Sequence, residues 1–161
     1  MCKDFCGYNA KEHKNYCENI IKCRKIESEL DEEEISYLAI KLTEISSLEE
    51  DKPFMWKWLN SLMSHRDERR QLEQFISLSK RVHQAMEAIG GIKISKSTVE
   101  NILGILNTNT VCNESGGRML FPYLSLISHS CTPNSEHWVK DQKVVVRAKT
   151  KIGQGQEITI R

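Results

Sequence analysis

Four residues near the start of the chain have the types and spacing of a metal site: Cys2, Cys6, His13 and Cys17, in the pattern Cys-x3-Cys-x6-His-x3-Cys. Thiolate and imidazole are ligands that zinc takes in tetrahedral geometry, at about 2.0 to 2.3 Å. The stretch Asn9-Ala10-Lys11-Glu12-His13-Lys14-Asn15-Tyr16 reads as helix, which would set His13 and Cys17 on one face and suit a shared ion. The other reading of the same residues is free thiols at a frayed terminus. Cys23 is expected to pack as a small apolar group. A second set of polar groups lies far downstream, in Leu126-Ile127-Ser128-His129-Ser130-Cys131-Thr132-Pro133-Asn134. It is followed by Val144-Val145-Val146-Arg147-Ala148 and by Gly153-Gln154-Gly155-Gln156-Glu157-Ile158-Thr159. Taken alone, a histidine such as His129 in an apolar stretch is more often a satisfied structural residue than a functional one.

The elements that must position these groups follow from composition and period. At 161 residues and 18.6 kDa the chain suits one domain, or one domain with a small appendage. Lys and Arg number 23 against 22 Asp and Glu, so there is no broad electrostatic footprint for nucleic acid or an anionic membrane. Apolar runs fall far short of the roughly 20 residues that span a bilayer, and the first residues lack a signal-peptide core. Cysteines without a secretory signal point to a reducing, intracellular compartment.

Three regions separate: a Cys/His-rich start over 1–27, a helical middle over 28–106 and a strand-and-turn end over 107–161. In the middle, Asp31 is a candidate N-cap, with Glu32, Glu33 and Glu34 favouring the helix dipole and Ile35, Leu38, Ala39, Leu42 and Ile45 on one face. Pro53 marks a new start, with Phe54, Trp56, Trp58, Leu59 and Leu62 as a short apolar patch. A later helix carries Leu72, Phe75, Ile76, Val82, Met86 and Ile89 and ends at Gly90-Gly91. The next is expected to open with a capping box, Ser97-x-x-Glu100, and to continue through Val99, Ile102, Leu103 and Leu106. In the end region, residues 143–149 alternate as a strand and can pair back on residues 136–139 as an antiparallel hairpin. Gly153 and Gly155 supply a tight turn after it.

The downstream segments together resemble the closing half of a SET methyltransferase domain, in which an Asn-His-Ser-Cys-x-Pro-Asn pattern meets a later Gly-x-Glu-Ile/Leu-Thr stretch in a threaded knot. The order of finger, helical insertion and SET end is similar to the SET-and-MYND (SMYD-type) protein lysine methyltransferases. The Ser-His-Ser-Cys variant and Leu62-Met63-Ser64-His65-Arg66 look most like a divergent arthropod branch. The resemblance implies an α+β fold: a partial MYND-type zinc finger over 1–27, a helical insertion over 28–106 and the β-rich C-terminal half of a SET domain over 107–161.

It also implies S-adenosyl-L-methionine as cofactor. Asn107 matches the asparagine of the family's Asn-Ser-Phe-x-Ile stretch, while Ser128, standing where the family has asparagine, and His129 match the cofactor contacts of the knot. Glu157 and Thr159 match the strand that threads it. In the finger pattern two zinc sites interleave, Cys2 with Cys6 and His13 with Cys17, each completed by ligands this sequence does not show. Cys131 matches a cysteine that joins a zinc site after the SET domain, and without that segment it is expected to be a buried thiol. The family's catalytic tyrosine is expected beyond Arg161, and its amino-terminal Gly-x-Gly strand is not in the chain, so the sequence as written is expected to be an inactive fragment. The implied substrates are lysines of histones or other proteins, in nucleus or cytoplasm. The alternative is a non-catalytic interaction module that binds protein partners through the MYND remnant, as in transcriptional repression.

Overall fold

Helices come first along the chain and strands after, an α+β arrangement. The computed structural model describes residues 18, 32–90, 94–112, 117–140 and 142–161. It divides into two units, residues 1–104 and 105–161. The expected zinc ligands Cys2, Cys6, His13 and Cys17, together with Cys23 and the Asp31 cap, lie outside the described residues.

In the first unit, α1 spans Glu32–Ser46 and buries Ala39, Ile40 and Leu42. Its inward hydroxyls are satisfied within the helix, Ser46 Oγ donating to the Leu42 carbonyl at 2.7 Å and Thr43 Oγ1 to that of Ala39 at 2.8 Å. A short α2, Leu48–Asp51, gives way to α3, Pro53–Ser61, with Pro53 at the first helical position as its missing N–H permits. Leu59 and Leu62 face inward, whereas Phe54 of the expected apolar patch is 80 % exposed. One turn, α4 (Arg66–Arg69), follows.

Helix α5, Glu73–Ile89, packs on α1 and buries Phe75, Ser79, Val82, Met86 and Ile89, the three- and four-residue spacing of one helix face. Leu72 and Ile76, expected in that face, are 55 % and 41 % exposed. Leu72 precedes the helix in extended conformation, and Ile76 lies about 100° round the helix from Phe75. Gly90 ends the helix at φ 76°, its N–H bonded to the Met86 carbonyl at 3.2 Å.

Helix α6 runs from Lys96 to Asn109. Its cap is Ser95 and not Ser97: Ser95 Oγ accepts from the Thr98 N–H at 3.1 Å. Ser97 is already helical, and its hydroxyl accepts from Arg66 Nη1 at 2.8 Å. Glu100, expected to close the capping box, is 5 % exposed and accepts from Arg70 Nε at 2.8 Å and Nη2 at 2.5 Å. A buried carboxylate gains more from a guanidinium fork than from one backbone N–H, which is why the box does not form. Val99, Ile102 and Leu103 complete the core of this unit.

In the second unit, the last turn of α6 leads directly into β1, Thr110–Cys112, which pairs antiparallel with β2, Arg118–Leu120. A 3-10 turn at Leu124–Leu126 buries Leu124. Strand β3, Ser128–His129, pairs parallel with β6, Thr159–Ile160. Between them β4, Ser135–Lys140, and β5, Lys143–Ala148, form the hairpin that the alternation predicts. Its register is fixed from the side chains: Glu136 and Arg147 are opposite and bonded, Arg147 Nε to Glu136 Oε1 at 2.8 Å, and the guanidinium lies 5.2 Å from the Trp138 ring centre.

Gly104 is buried on α6 for a steric reason. A Cβ there would collide with the carbonyl oxygen of Ser64 and lie 3.1 Å from its carbonyl carbon. Helix propensity alone makes Gly→Ala stabilising by about 1 kcal/mol in an open helix. Here the sign is expected to reverse, Gly104→Ala costing about 1 to 3 kcal/mol because backbone must move. Chemical denaturation of the two proteins checks this, and a more stable variant would show that the helix and the Ser64 segment are not in close contact.

Candidate functional site

Two-residue strands have too few ladder bonds to hold themselves, so the β3–β6 pair depends on what surrounds it. Ser128 lies opposite Thr159 and His129 opposite Ile160, and the ladder continues as the Ser130 N–H donates to the Ile160 carbonyl at 2.8 Å. The chain between them turns back through the hairpin and through Gly153–Gln156. There the Gln156 N–H donates to the Gly153 carbonyl at 3.1 Å, and Gly155 takes φ 80°.

Asn134 ties this return together. Its Nδ2 donates to the Glu157 carbonyl at 2.8 Å, and its Oδ1 accepts from the Thr159 N–H at 2.9 Å. The partners fix the amide's orientation, since a carbonyl only accepts and an N–H only donates. The Asn134 N–H donates to Thr159 Oγ1 at 3.2 Å, and its carbonyl accepts from the Lys149 N–H at 2.8 Å. One residue thereby bonds to both sides of Ile158 and to the end of β5.

The residues expected at a cofactor fall into two places. Ser128 and His129 are adjacent on β3 and both exposed. Ser128 Oγ donates to Glu157 Oε1 at 2.5 Å, a contact between side chains that the sequence separates by a whole hairpin. Asn107 lies in the last turn of α6, where its Oδ1 accepts from Arg118 Nη1 at 3.0 Å. It makes no hydrogen bond to Ser128 or His129 among the described residues. Cys131 corrects an expectation: it is an exposed thiol, not a buried one. It sits in the turn after β3 with its Sγ 3.7 Å from His129 Nε2, and a reversing turn holds its side chains outside the core. Cys112 is also exposed. Among the described residues no three His, Cys, Asp or Glu side chains converge as a metal site.

A groove of about 510 Å³ lies beside this turn, lined by residues that include Cys131, Pro133, His137, Lys149 and Arg161. Asn107, Ser128 and His129 do not line it, whereas Cys131, Thr132 and Pro133 of the motif do. Sequence reasoning did not single out Asn134 as the hub or Arg118 as the partner of Asn107. An asparagine directly after Pro133 and before a strand was the available signal for the first, because such a residue often bonds neighbouring backbone.

Asn134→Ala is expected to destabilise the second unit by about 2 to 3 kcal/mol, two hydrogen bonds being lost and backbone groups of Glu157 and Thr159 left unpaired. Hydrogen exchange reads it directly: the Thr159 amide should lose protection. Retained protection in the variant would mean that the ladder, and not Asn134, holds β6.

The SET domain family profile matches residues 8–161. "SET domain-containing protein SmydA-8, isoform A" of Drosophila melanogaster is 41% identical over 66 residues, covering 36% of this chain and 14% of that protein. "Histone-lysine N-methyltransferase ASHR1" of Arabidopsis thaliana is 40% identical over 57 residues, covering 34% of this chain and 12% of that protein. The chain thus spans about one-seventh and one-eighth of the length of these two relatives. No solved structure matches it. With a profile match that runs through helices, hairpin and the β3–β6 junction alike, the chain belongs to the SET domain family, and its likeness within that family is to SMYD-type members.

Proposed function

We propose that this chain is the insertion and C-terminal SET portion of a protein lysine methyltransferase that uses S-adenosyl-L-methionine. The observation that carries the reading is the β3–β6 pair bound by Asn134, which joins the Ser-His-Ser-Cys-x-Pro-Asn turn to the Glu-Ile-Thr strand. The domain match and the histone-lysine methyltransferase among the relatives support it. Residues 28–106 then form the helical insertion, and residues 107–161 the SET end.

The donor set fits such a cofactor. Asn107, Ser128 and His129 are exposed, and amide, hydroxyl and imidazole suit the amino-acid and adenine ends of the molecule. When bound, the cofactor supplies an electrophilic methyl on a sulfonium. What this chain's residues contribute is position: Ser128 and His129 are held by β6, which aligns donor and acceptor and lowers the entropic part of the barrier. The acceptor we propose is a lysine of a histone or another protein, which places the protein in nucleus or cytoplasm. No helix among the described residues is long and apolar enough to cross a membrane.

The same reading assigns residues 1–27 to a MYND-type finger with Cys2, Cys6, His13 and Cys17 as zinc ligands and with protein partners bound through it. The exposed Cys131 is then free to join zinc with cysteines from elsewhere in the protein. A second reading, a non-catalytic interaction module, is favoured by one feature: Ser128 stands where the family has asparagine, and a shorter side chain reaches less far toward a ligand.

Equilibrium binding of labelled S-adenosylmethionine to the intact protein separates the two. Saturable binding at one site, with methyl transfer to histone lysine, is expected. Ser128→Asn should tighten that binding by about 3- to 10-fold, the effect of one recovered hydrogen bond. An unchanged dissociation constant would remove Ser128 from the cofactor contacts, and no binding at all would favour the interaction module.

A further inference from the structure

Ser97 and Glu100 do not form the capping box that their spacing offers, and what they join instead is a charged cluster on the first unit. Ser95 takes the cap, and its Oγ also lies 2.8 Å from Thr98 Oγ1, so those two hydroxyls are engaged with each other. Ser97 is exposed in the first turn of α6, and its Oγ accepts from Arg66 Nη1 at 2.8 Å. A groove of about 420 Å³ opens beside it, lined by Arg70, Ile76, Lys96, Ser97 and Glu100. Three partly exposed cations therefore surround Ser97: Arg66 by its hydrogen bond, Arg70 and Lys96 in the groove wall. The carboxylates among them are fewer and already committed. Glu100 is buried under the Arg70 fork, with Lys96 Nζ 3.8 Å from its other oxygen. Asp67 lies 3.5 Å from Arg66 Nε and 3.9 Å from Arg70 Nη1.

We propose that Ser97 is a phosphorylation site whose phosphate is held by Arg66 with Arg70 and Lys96. The reaction is phosphoryl transfer from ATP by a separate protein kinase. A bond forms between Ser97 Oγ and the γ-phosphorus, and the bond from that phosphorus to the oxygen bridging to the β-phosphate breaks. ADP leaves, and the hydroxyl proton passes to the kinase's carboxylate base. The acceptor is exposed, and helix ends fray, so the residues around it open to a kinase more readily than a helix interior does. Lys93 and Lys96 precede it in the sequence, a basic approach that complements an acidic kinase groove. Once in place, the phosphate brings strong acceptor oxygens and about two negative charges to guanidinium groups that now meet a neutral hydroxyl. Arg66 Nη1 is already directed at Ser97 Oγ, and Arg70 keeps Nη1 for the phosphate while Nε and Nη2 stay on Glu100. Such charge-assisted bonds are about twice as strong as neutral ones. Phosphorylation thereby adds a second charged tie between residues 66–70 and α6, beside that of Arg70 to Glu100.

The test uses the intact protein in two measurements, neither of which depends on cofactor binding. Incubation with ATP and a protein kinase that selects basic residues before its serine, followed by peptide mass mapping, is expected to find phosphate on Ser97 ahead of Ser95 and Thr98. Ser97→Ala should remove most of it. Phosphate on Ser95 or Thr98 with none on Ser97 would overturn the site, as would none on any of the three. Protein made with phosphoserine at position 97 is then titrated by phosphorus nuclear magnetic resonance. The second ionisation of phosphoserine, ordinarily at about 6, is expected at about 5, because adjacent cations favour the dianion. Arg66→Gln should return it most of the way toward the ordinary value. Arg66→Lys, which keeps the charge and loses the fork, should return it in part and serves if the neutral variant does not fold. An ionisation at the ordinary value that neither variant moves would overturn the proposal that these side chains hold the phosphate.

Discussion

A side-chain amide can give and take a hydrogen bond at once in fixed geometry, and the second unit depends on that property of Asn134. Parallel strands need a long connection between them, and here it runs from Ser130 through the β4–β5 hairpin to β6. Each strand of the pair is only two residues long, so the loop-closure entropy of the connection has little ladder bonding to set against it. Asn134 supplies the difference by bonding the backbone on both sides of Ile158. An aspartate could not substitute, because it would turn a donor toward the Glu157 carbonyl into a second acceptor. Without the clamp, Ser128 and Glu157 would have no reason to meet.

The helical unit meets a different constraint, a charge and a backbone placed inside it. Glu100 is nearly buried on the inward side of α6, and Arg70, just past the short α4, covers it while remaining partly in solvent. Burying a lone carboxylate is costly, and burying it against a fork of two N–H groups is tolerable. The ion pair therefore reports where the α4 segment must sit against α6 more than it adds stability. Gly104 and Ser64 fix the same approach sterically, with the Ser64 carbonyl filling the place of a side chain. Charge pairing and close backbone contact act together on one segment, residues 64–70.

The chemistry at the junction is a matter of which atom holds a proton. His129 and Ser128 are presented by strand geometry and Glu157 by the clamp, and the carboxylate sets the direction of the hydrogen bond that the Ser128 hydroxyl makes. Family membership alone leaves that open, because a hydroxyl can donate or accept. Glu157, two residues before β6, removes the ambiguity at Ser128. The exposed Cys131 beside His129 shows the same principle in reverse: the turn that makes the motif also puts its thiol outside the core.

Local period and composition determined much of this protein. The apolar spacing in α1, α5 and α6, the proline start of α3, the glycine end of α5, and the β4–β5 hairpin all follow from residues within one turn or one strand of each other. The motif order was likewise enough to identify the family, since it is a property of the linear chain. Only the tertiary structure decided the cap of α6, where Arg66 and Arg70 draw Ser97 and Glu100 away from backbone roles. It alone decided the exposure of Ile76, the need for glycine at position 104, and the pairing of Ser128 with Glu157. Each of these is a contact between residues separated by tens of positions, or the want of one. Local propensity carries no information on which distant partner will arrive, because that is set by the packing of whole elements.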